Sequence, residues 1–268
     1  MKRIMFLALA SCLMMMMACN RGNSGPNAFD VEEIIVEDSV HFPAEAMEEW
    51  MYDDMASYLA VVDVPVTKNE DLRDNIIGWI ASLLSPNYSG DSQDVRAMVE
   101  FDKDEFLGPT TGSPQSRQEC FITMEDNTER YVTYTCDLYV YMGGAHGSTE
   151  KLGGTFLKAD GTQFGFDMFK DPEALTPLIK QGLEEQYFEE LLEEGELSFE
   201  EVIMEEARDS FPLPATEPWI QNDSVFFIYL AYEIAPYALG LPQCGFSYQE
   251  LKDYLTEEAM PFFETKNK

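Results

Sequence analysis

The chain has 268 residues, of which 45% are hydrophobic and 13% aromatic, which is typical of a globular protein with a buried core and excludes a disordered chain. Fifty Asp and Glu residues against 17 Lys and Arg residues give a formal net charge of −33 at pH 7. This charge disfavours nucleic acid and anionic lipid as partners and attracts cationic ones. A simpler interpretation, in which the acidity only maintains solubility, stays open.

Residues 1–18 have the pattern of a secretory signal peptide, with two basic residues before an apolar run that ends at Ala18. The run is shorter than the roughly 20 residues that a membrane-spanning helix needs. Cys19 follows directly, in an arrangement that resembles a lipobox, where the cysteine thiol is acylated and becomes the new N-terminus. Cys12 is the alternative acylation site, and cleavage without lipidation is the third possibility.

The lipid anchor and a polar tether over residues 19–29 predict a protein of the cell envelope, attached to the outer membrane and facing the periplasm. The remaining cysteines are Cys120, Cys136 and Cys244. An oxidising compartment permits one disulfide among them and leaves one thiol, and the spacing does not decide the pairing. The cysteines and histidines show no metal-binding spacing.

Residues 30–92 are predicted to form a smaller N-terminal α+β subdomain. It begins with a strand over 31–42, passes through an ambiguous stretch at 43–54 with helix-like spacing, and continues with a strand over 58–66. Thr67 and Glu70 then have the spacing of a capping box, which predicts a helix that ends before Pro86.

Residues 93–268 are predicted to form the larger domain. An amphipathic element over 94–105 precedes a hairpin of strands 119–124 and 130–142, with its turn at 125–128. The second of these strands alternates most clearly in the chain. A second hairpin joins 155–158 to 163–166 through an Asp-Gly turn.

The last third of the chain adds helices and one more strand. A long helix is predicted from Asp171 to Gly195, a second begins at a capping box of Ser198 and Glu201, and a last one runs from Ser247 to about Glu258. Residues 225–232 are apolar on both faces and predict a doubly covered strand. Since strands and helices do not alternate regularly, the fold class is α+β, with a mixed or antiparallel sheet packed against several helices.

The sequence contains no nucleophile elbow, zincin motif, Walker loop or dinucleotide-binding loop. Its only histidines are His41 and His146, too few for a typical zinc site. We therefore expect a protein that is not an enzyme and that uses no cofactor and no metal. A pair of carboxylates acting as in glycosidases, in an envelope hydrolase, remains the enzymatic alternative.

Two segments stand out as candidate binding sites, Tyr141–Gly147 after the best strand and Tyr232–Gly240 after the buried one. Consecutive glycines permit positive φ and a close backbone approach, and Glu233 is placed to hold either His146 or backbone amides. Three roles remain possible for His146: it hydrogen-bonds across a bulge formed by the glycines, it lies in an exposed recognition loop, or it binds a metal ion. The candidate binding residues are Tyr141, Gly143, Gly144, His146, Gly147, Glu233 and Tyr237.

These two segments, in this order, resemble the extracytoplasmic domain of RsiV-type anti-sigma factors. The pattern includes Tyr-x-Gly-Gly-Ala-His-Gly at 141–147, an Asp-x-Phe step at 167–169, and Tyr-Glu-Ile-Ala-Pro-Tyr-Ala-x-Gly at 232–240. The match covers most of residues 56–258. It implies an α+β sensor or binding domain, whose best-known ligand in that family is lysozyme. The chain has no sigma-binding segment or transmembrane helix in its sequence pattern, so anti-sigma activity does not transfer.

The sequence therefore predicts a lipid-anchored envelope protein that binds a cationic cell-wall-active protein such as lysozyme, as sensor or inhibitor. A binder of peptidoglycan or carbohydrate fragments, with a cleft lined by Tyr139, Tyr141 and Tyr237, is the alternative.

Overall fold

The computed structural model describes residues 28–43, 45, 53–108, 113–189, 191–192 and 197–263. The predicted signal peptide, the acylation site at Cys19, most of the tether and the ambiguous stretch near residue 50 lie outside the described residues. Within these ranges, no helix combines the length and the apolar character needed to cross a membrane.

The larger layer is a five-stranded sheet in which the strands lie in chain order. Neighbouring strands pair antiparallel except β2 and β3, which pair in parallel because α1 and α2 connect them. The strands are β1 (Phe29–His41), β2 (Met55–Thr67), β3 (Arg117–Asn127), β4 (Tyr131–Tyr141) and β5 (Ser148–Leu157).

Two helices, α1 (Glu70–Leu83) and α2 (Val95–Leu107), cover one face of this sheet and enclose the first core. Helix α1 ends before Pro86 as predicted, but the predicted capping box is wrong. Asn69 is the cap, and its side chain accepts the N–H of Leu72. An Asx side chain adjacent to the first helical residue reaches the N3 amide better than Thr67, two residues earlier.

A three-stranded antiparallel sheet lies against the other face, over the first half of β4. Its strands are β6 (Trp219–Gln221), β7 (Ser224–Ile228) and β8 (Gln243–Ser247), with β7 in the centre. The two layers are joined by hydrogen bonds, since the hydroxyl of Thr133 donates to the carbonyl of Ile220 at 2.6 Å and the Ile220 N–H donates to Thr155 Oγ1 at 2.8 Å. The residues of β4 that alternate with its apolar face are therefore buried too.

Short helices pack around the three-stranded sheet and enclose a second core. They are α3 (Thr176–Gln186), α4 (Phe199–Val202), α5 (Glu205–Asp209), α6 (Tyr248–Leu251) and α7 (Met260–Phe263). Both later capping boxes are present as predicted, at Ser198 with Glu201 and at Ser247 with Glu250.

The structure corrects five predicted elements. The strand predicted at 163–166 is reduced to an isolated bridge between Phe156 and Gln163, and a 3-10 turn (Phe166–Met168) follows it. The long helix from Asp171 is instead a 3-10 turn (Pro172–Leu175) followed by α3, and its predicted end, Gly195, lies outside the described residues. Strand β7 ends at Ile228 rather than at residue 232, and the last helix, α6, ends at Leu251 rather than near Glu258. The β3–β4 turn follows residue 127, because β3 continues through a bulge at 124–126.

The α+β fold class is confirmed, with one mixed sheet, one antiparallel sheet and surrounding helices. The predicted boundary between the N-terminal subdomain and the larger domain, between residues 92 and 93, falls between α1 and α2. Both helices lie on the same sheet, and β2 pairs with β3 across the boundary.

A half-buried carboxylate between α2 and the sheet provides a pH-dependent contribution to stability. Asp102 Oδ2 accepts hydrogen bonds from the Tyr58 hydroxyl at 2.9 Å and from Gln118 Nε2 at 2.8 Å. Burial raises the pKa of Asp102 above its ordinary value, although these donors oppose the shift.

A raised folded-state pKa means that the folded protein binds the Asp102 proton more tightly than the unfolded chain does. Stability from this group is therefore lost as pH rises from the ordinary aspartate pKa through the raised one. We expect the unfolding free energy of wild type, minus that of Asp102→Asn, to grow as pH falls through this window. Urea denaturation of both proteins between pH 7 and pH 3 measures the difference, and a pH-independent difference would contradict the assignment.

Candidate binding site

The two segments that stand out in the sequence meet in the structure. The His146 ring stacks on the Tyr237 ring, with centroids 3.7 Å apart and planes inclined by 15°. The Tyr232 ring lies beside Tyr237 at a centroid distance of 5.8 Å. We call these three side chains, His146, Tyr232 and Tyr237, the aromatic platform. All three are exposed, so a partner has access to the ring surfaces that are not stacked on one another.

The glycine-rich segment is the loop of the β4–β5 hairpin, in which Val140 pairs with Ser148. Gly143 and Gly144 have φ values of +93° and +95°, and a Cβ atom at either would meet nothing within 4 Å. The glycines are therefore required for backbone conformation and not for a close approach. The predicted bulge is instead this loop, which the Tyr141 hydroxyl closes by donating to the Gly144 carbonyl at 2.9 Å.

The His146 ring is oriented by two hydrogen-bond contacts. Its Nδ1 lies 2.9 Å from the carbonyl oxygen of Gly147, and since a carbonyl only accepts, Nδ1 carries the proton in the neutral ring. Nε2 is then an acceptor, and the Tyr232 hydroxyl lies 3.4 Å from it. Gly147 itself packs against the ring of Tyr139, so a side chain at this position would displace that ring.

Glu233 supports the platform from below. One carboxylate oxygen accepts the N–H of Ala215 at 2.7 Å, and the other accepts the N–H of Leu230 at 2.8 Å. Of the two roles open from the sequence, Glu233 therefore holds backbone amides and not His146. At the end of the segment, the Tyr187 hydroxyl donates to the Leu239 carbonyl at 2.7 Å, and Gly240 has a φ of +76°.

Tyr232 has a backbone conformation that non-glycine residues rarely adopt, with φ at +67°, while 53% of its surface is exposed. A bulky side chain in this region costs free energy, and such strain is concentrated at functional sites. From the sequence, Tyr232 is predicted to end a strand and to begin the second candidate segment, but it is not among the candidate binding residues. The apolar run at 225–232 predicts a strand through Tyr232, and it gives no sign of the turn that follows the end of β7 at Ile228.

Comparing two substitutions of Tyr232 measures this strain. Tyr232→Ala and Tyr232→Gly both remove the ring, but only glycine adopts positive φ without a steric penalty. We expect the Gly variant to be more stable than the Ala variant by about 1 kcal/mol. Chemical denaturation tests this, and an Ala variant of equal or greater stability would show that the backbone is unstrained.

The basic side chains at this end of the sheet are neutralised by carboxylates. Arg117, which lies opposite Tyr141 in the register, forms an ion pair with Glu119 at 2.5 Å. Lys151 pairs with Asp137 at 3.2 Å. The strands beneath the platform thus contribute no uncompensated positive charge through these two residues, which is consistent with a site for a cationic group.

In the described ranges, no group of three or more His, Cys, Asp and Glu side chains is arranged to hold a metal ion. His41, the other histidine, ends β1 at the edge of the sheet, three strands from β4, and contacts Asp54 at 3.1 Å. Among the described residues, Cys120, Cys136 and Cys244 are buried free thiols. Cys120 and Cys136 lie on the neighbouring strands β3 and β4 in the first core, whereas Cys244 belongs to the second core.

By sequence, no family model and no curated protein matches this chain. Several solved structures resemble it, among them two that are similar over most of the chain. One is a DUF3298 family member from Bacteroides fragilis, with a TM-score of 0.60 and 18% identity, covering 90% of this chain and 98% of that one. The other is a DUF3298 family protein from Pseudomonas aeruginosa, with a TM-score of 0.57 and 16% identity, covering 90% and 100%.

The chain shares the fold of these DUF3298 proteins. At such low identity the likeness concerns the fold alone, and neither structure's description names a ligand. The function must therefore be argued from the aromatic platform and the surrounding charge.

Proposed function

We propose that the chain is a lipid-anchored binding protein of the bacterial cell envelope, which engages a cationic cell-wall-active protein such as lysozyme as sensor or inhibitor. The proposal rests chiefly on one observation: two segments 86 residues apart in sequence, at His146 and Tyr232, build a single exposed aromatic surface. Their resemblance to the corresponding segments of RsiV-type proteins adds support.

The chemistry of the platform suits a cationic side chain from the partner. Tyrosine ring faces carry negative partial charge, and a guanidinium or ammonium group over such a face gains about 0.5–2 kcal/mol. The ring of Tyr237 is already stacked on one face by His146, which fixes its orientation before binding. Pre-orientation lowers the entropic cost of association.

The net charge of −33 acts at longer range. A strongly acidic protein attracts a cationic partner and raises the association rate, and this contribution weakens as salt increases. Charge alone gives little discrimination among cationic proteins. We therefore assign specificity to the aromatic platform, and most of the affinity at low salt to the electrostatic attraction of the net negative charge.

We infer binding rather than catalysis because both oxygens of Glu233, the carboxylate nearest in sequence to Tyr232, are occupied by backbone amides. The direct experiment is retention of the tagged chain on immobilised lysozyme at physiological salt. Retention that survives competition by an unrelated acidic protein is expected, and absence of retention would remove the lysozyme proposal.

A binder of peptidoglycan or carbohydrate fragments is the second candidate. It is favoured by the extension of the aromatic surface, since Tyr139 packs on Gly147 beside His146 and Tyr141 closes the same loop. Sugar rings can stack on accessible tyrosine rings, and Tyr139 and Tyr141 are each partly exposed. Titration of soluble peptidoglycan fragments into the chain without lysozyme distinguishes the two, because only a carbohydrate site would bind the fragments.

A further inference from the structure

Strand β1 lies at the edge of the five-stranded sheet, and all 13 of its residues pair with β2. In the part of the chain that the structure describes, no strand pairs with its other side. An unpaired edge of this length presents a row of backbone donors and acceptors to which another polypeptide can bind.

The local hydrogen bonds show which residues direct their backbone outward. The N–H of Val31 donates to Asp30 Oδ1 at 2.9 Å, and the N–H of Ser39 donates to Asp38 Oδ1 at 2.8 Å. Amides satisfied by the preceding side chain lie on the open side of the strand. Since the direction alternates along a strand, the N–H and C=O groups of Glu33, Ile35 and Glu37 lie on the open side as well.

The side chains of the same three residues also share one face. Ile34 and Val36 are buried beneath the helices, so the residues that alternate with them lie on the opposite face. There Glu33 and Glu37 are exposed, and Ile35 is 47% exposed. A large apolar side chain thus stands between two carboxylates, beside the outward backbone groups.

We propose that the outer edge of β1, between Val31 and Ser39, binds an extended cationic segment of a partner polypeptide as a sixth strand. An apolar side chain of that segment packs on Ile35, and Lys or Arg residues two positions to either side face Glu33 and Glu37. Backbone hydrogen bonds supply affinity, as in other cases of strand addition, and the three facing side chains supply selectivity.

A second copy of this chain fits the same edge poorly. In an antiparallel pair of β1 strands centred on Ile35, Glu33 of one chain would lie opposite Glu37 of the other. Like charges directly opposite each other destabilise a sheet, and two chains of charge −33 also repel at long range. The acidic residues therefore select against self-association while they favour a cationic strand.

This inference depends on the backbone and charges of β1 and is independent of the aromatic platform. Its test uses the full chain and a capped heptapeptide in which Lys, Val and Lys alternate with Thr. The peptide is titrated into wild type, into Glu33→Lys/Glu37→Lys, and into Glu257→Lys/Glu258→Lys. Glu257 and Glu258 are exposed and lie outside the sheet, so replacing both by Lys changes the net charge by the same amount as the Glu33/Glu37 variant does.

We expect the peptide to bind wild type and the Glu257/Glu258 variant with affinities within threefold of each other, and the Glu33/Glu37 variant at least tenfold more weakly. Bound peptide should slow hydrogen exchange at the amides of Glu33, Ile35 and Glu37 at least tenfold. Equal weakening in both variants would show that only net charge matters and would overturn the proposal. Unchanged hydrogen exchange at these amides, or no binding of the peptide to wild type, would also overturn it.

Discussion

Gly153→Ala is expected to destabilise the protein by about 3 kcal/mol, because the added methyl group has no space at the interface between the two sheets. A Cβ atom on Gly153 would lie 2.2 Å from Cδ2 of Trp219, which is fully buried. The indole cannot move away easily, since it stacks on Phe226 with centroids 5.9 Å apart. The absence of a side chain at Gly153 on β5 therefore leaves the space in which Trp219 of the three-stranded sheet packs.

Gly78→Ala provides the matched control. Gly78 is exposed in α1, and a Cβ atom there would meet nothing within 4 Å. Alanine at this position should stabilise the protein by about 1 kcal/mol through helix propensity. Urea denaturation of both variants compares them, and a neutral Gly153→Ala variant would mean that the three-stranded sheet packs on β5 differently.

Glu233→Ala has the second largest expected effect, a loss of about 2 kcal/mol in unfolding free energy. The substitution removes two charge-assisted hydrogen bonds and leaves the amides of Ala215 and Leu230 without their acceptor. Because these bonds fix the turn that carries Tyr232, binding to the platform should weaken in parallel with stability. Glu217→Ala is a useful comparison, since this carboxylate accepts one amide, that of Phe166, away from the platform.

Calorimetric unfolding and lysozyme binding of the two variants separate the effects. The Glu233 variant should lose both stability and affinity, whereas the Glu217 variant should lose stability alone. Full affinity in a destabilised Glu233 variant would show that the turn does not depend on this carboxylate.

Local patterns in the sequence predict much of the fold. The strand β4, the Asp-Gly turn after β5 and the two later capping boxes depend on residues close in sequence, and each is present in the structure. The turn of the β3–β4 hairpin was misplaced because a bulge lengthens β3, and a bulge leaves no signature in hydrophobic periodicity.

Features that depend on distant segments were not predictable. Thr133 and Thr155 have the polarity of a solvent-facing strand surface, yet both are buried because the backbone of Ile220 supplies their hydrogen-bond partners. The parallel pairing of β2 with β3 likewise joins two strands that are separated in the sequence by α1 and α2. At the site, sequence selected His146 and Tyr237, but their stacking and the strained turn at Tyr232 emerge only from tertiary structure.

The most direct test of the account is the affinity of the full chain for lysozyme with the platform altered at Tyr237, measured by titration calorimetry at physiological salt. Tyr237→Phe keeps a ring stacked on His146 and should bind within about twofold of wild type, whereas Tyr237→Ala should bind at least tenfold more weakly, a change of about 1.4 kcal/mol. Equal affinities of the Phe and Ala variants, both near wild type, would contradict the claim that the aromatic platform is the binding site.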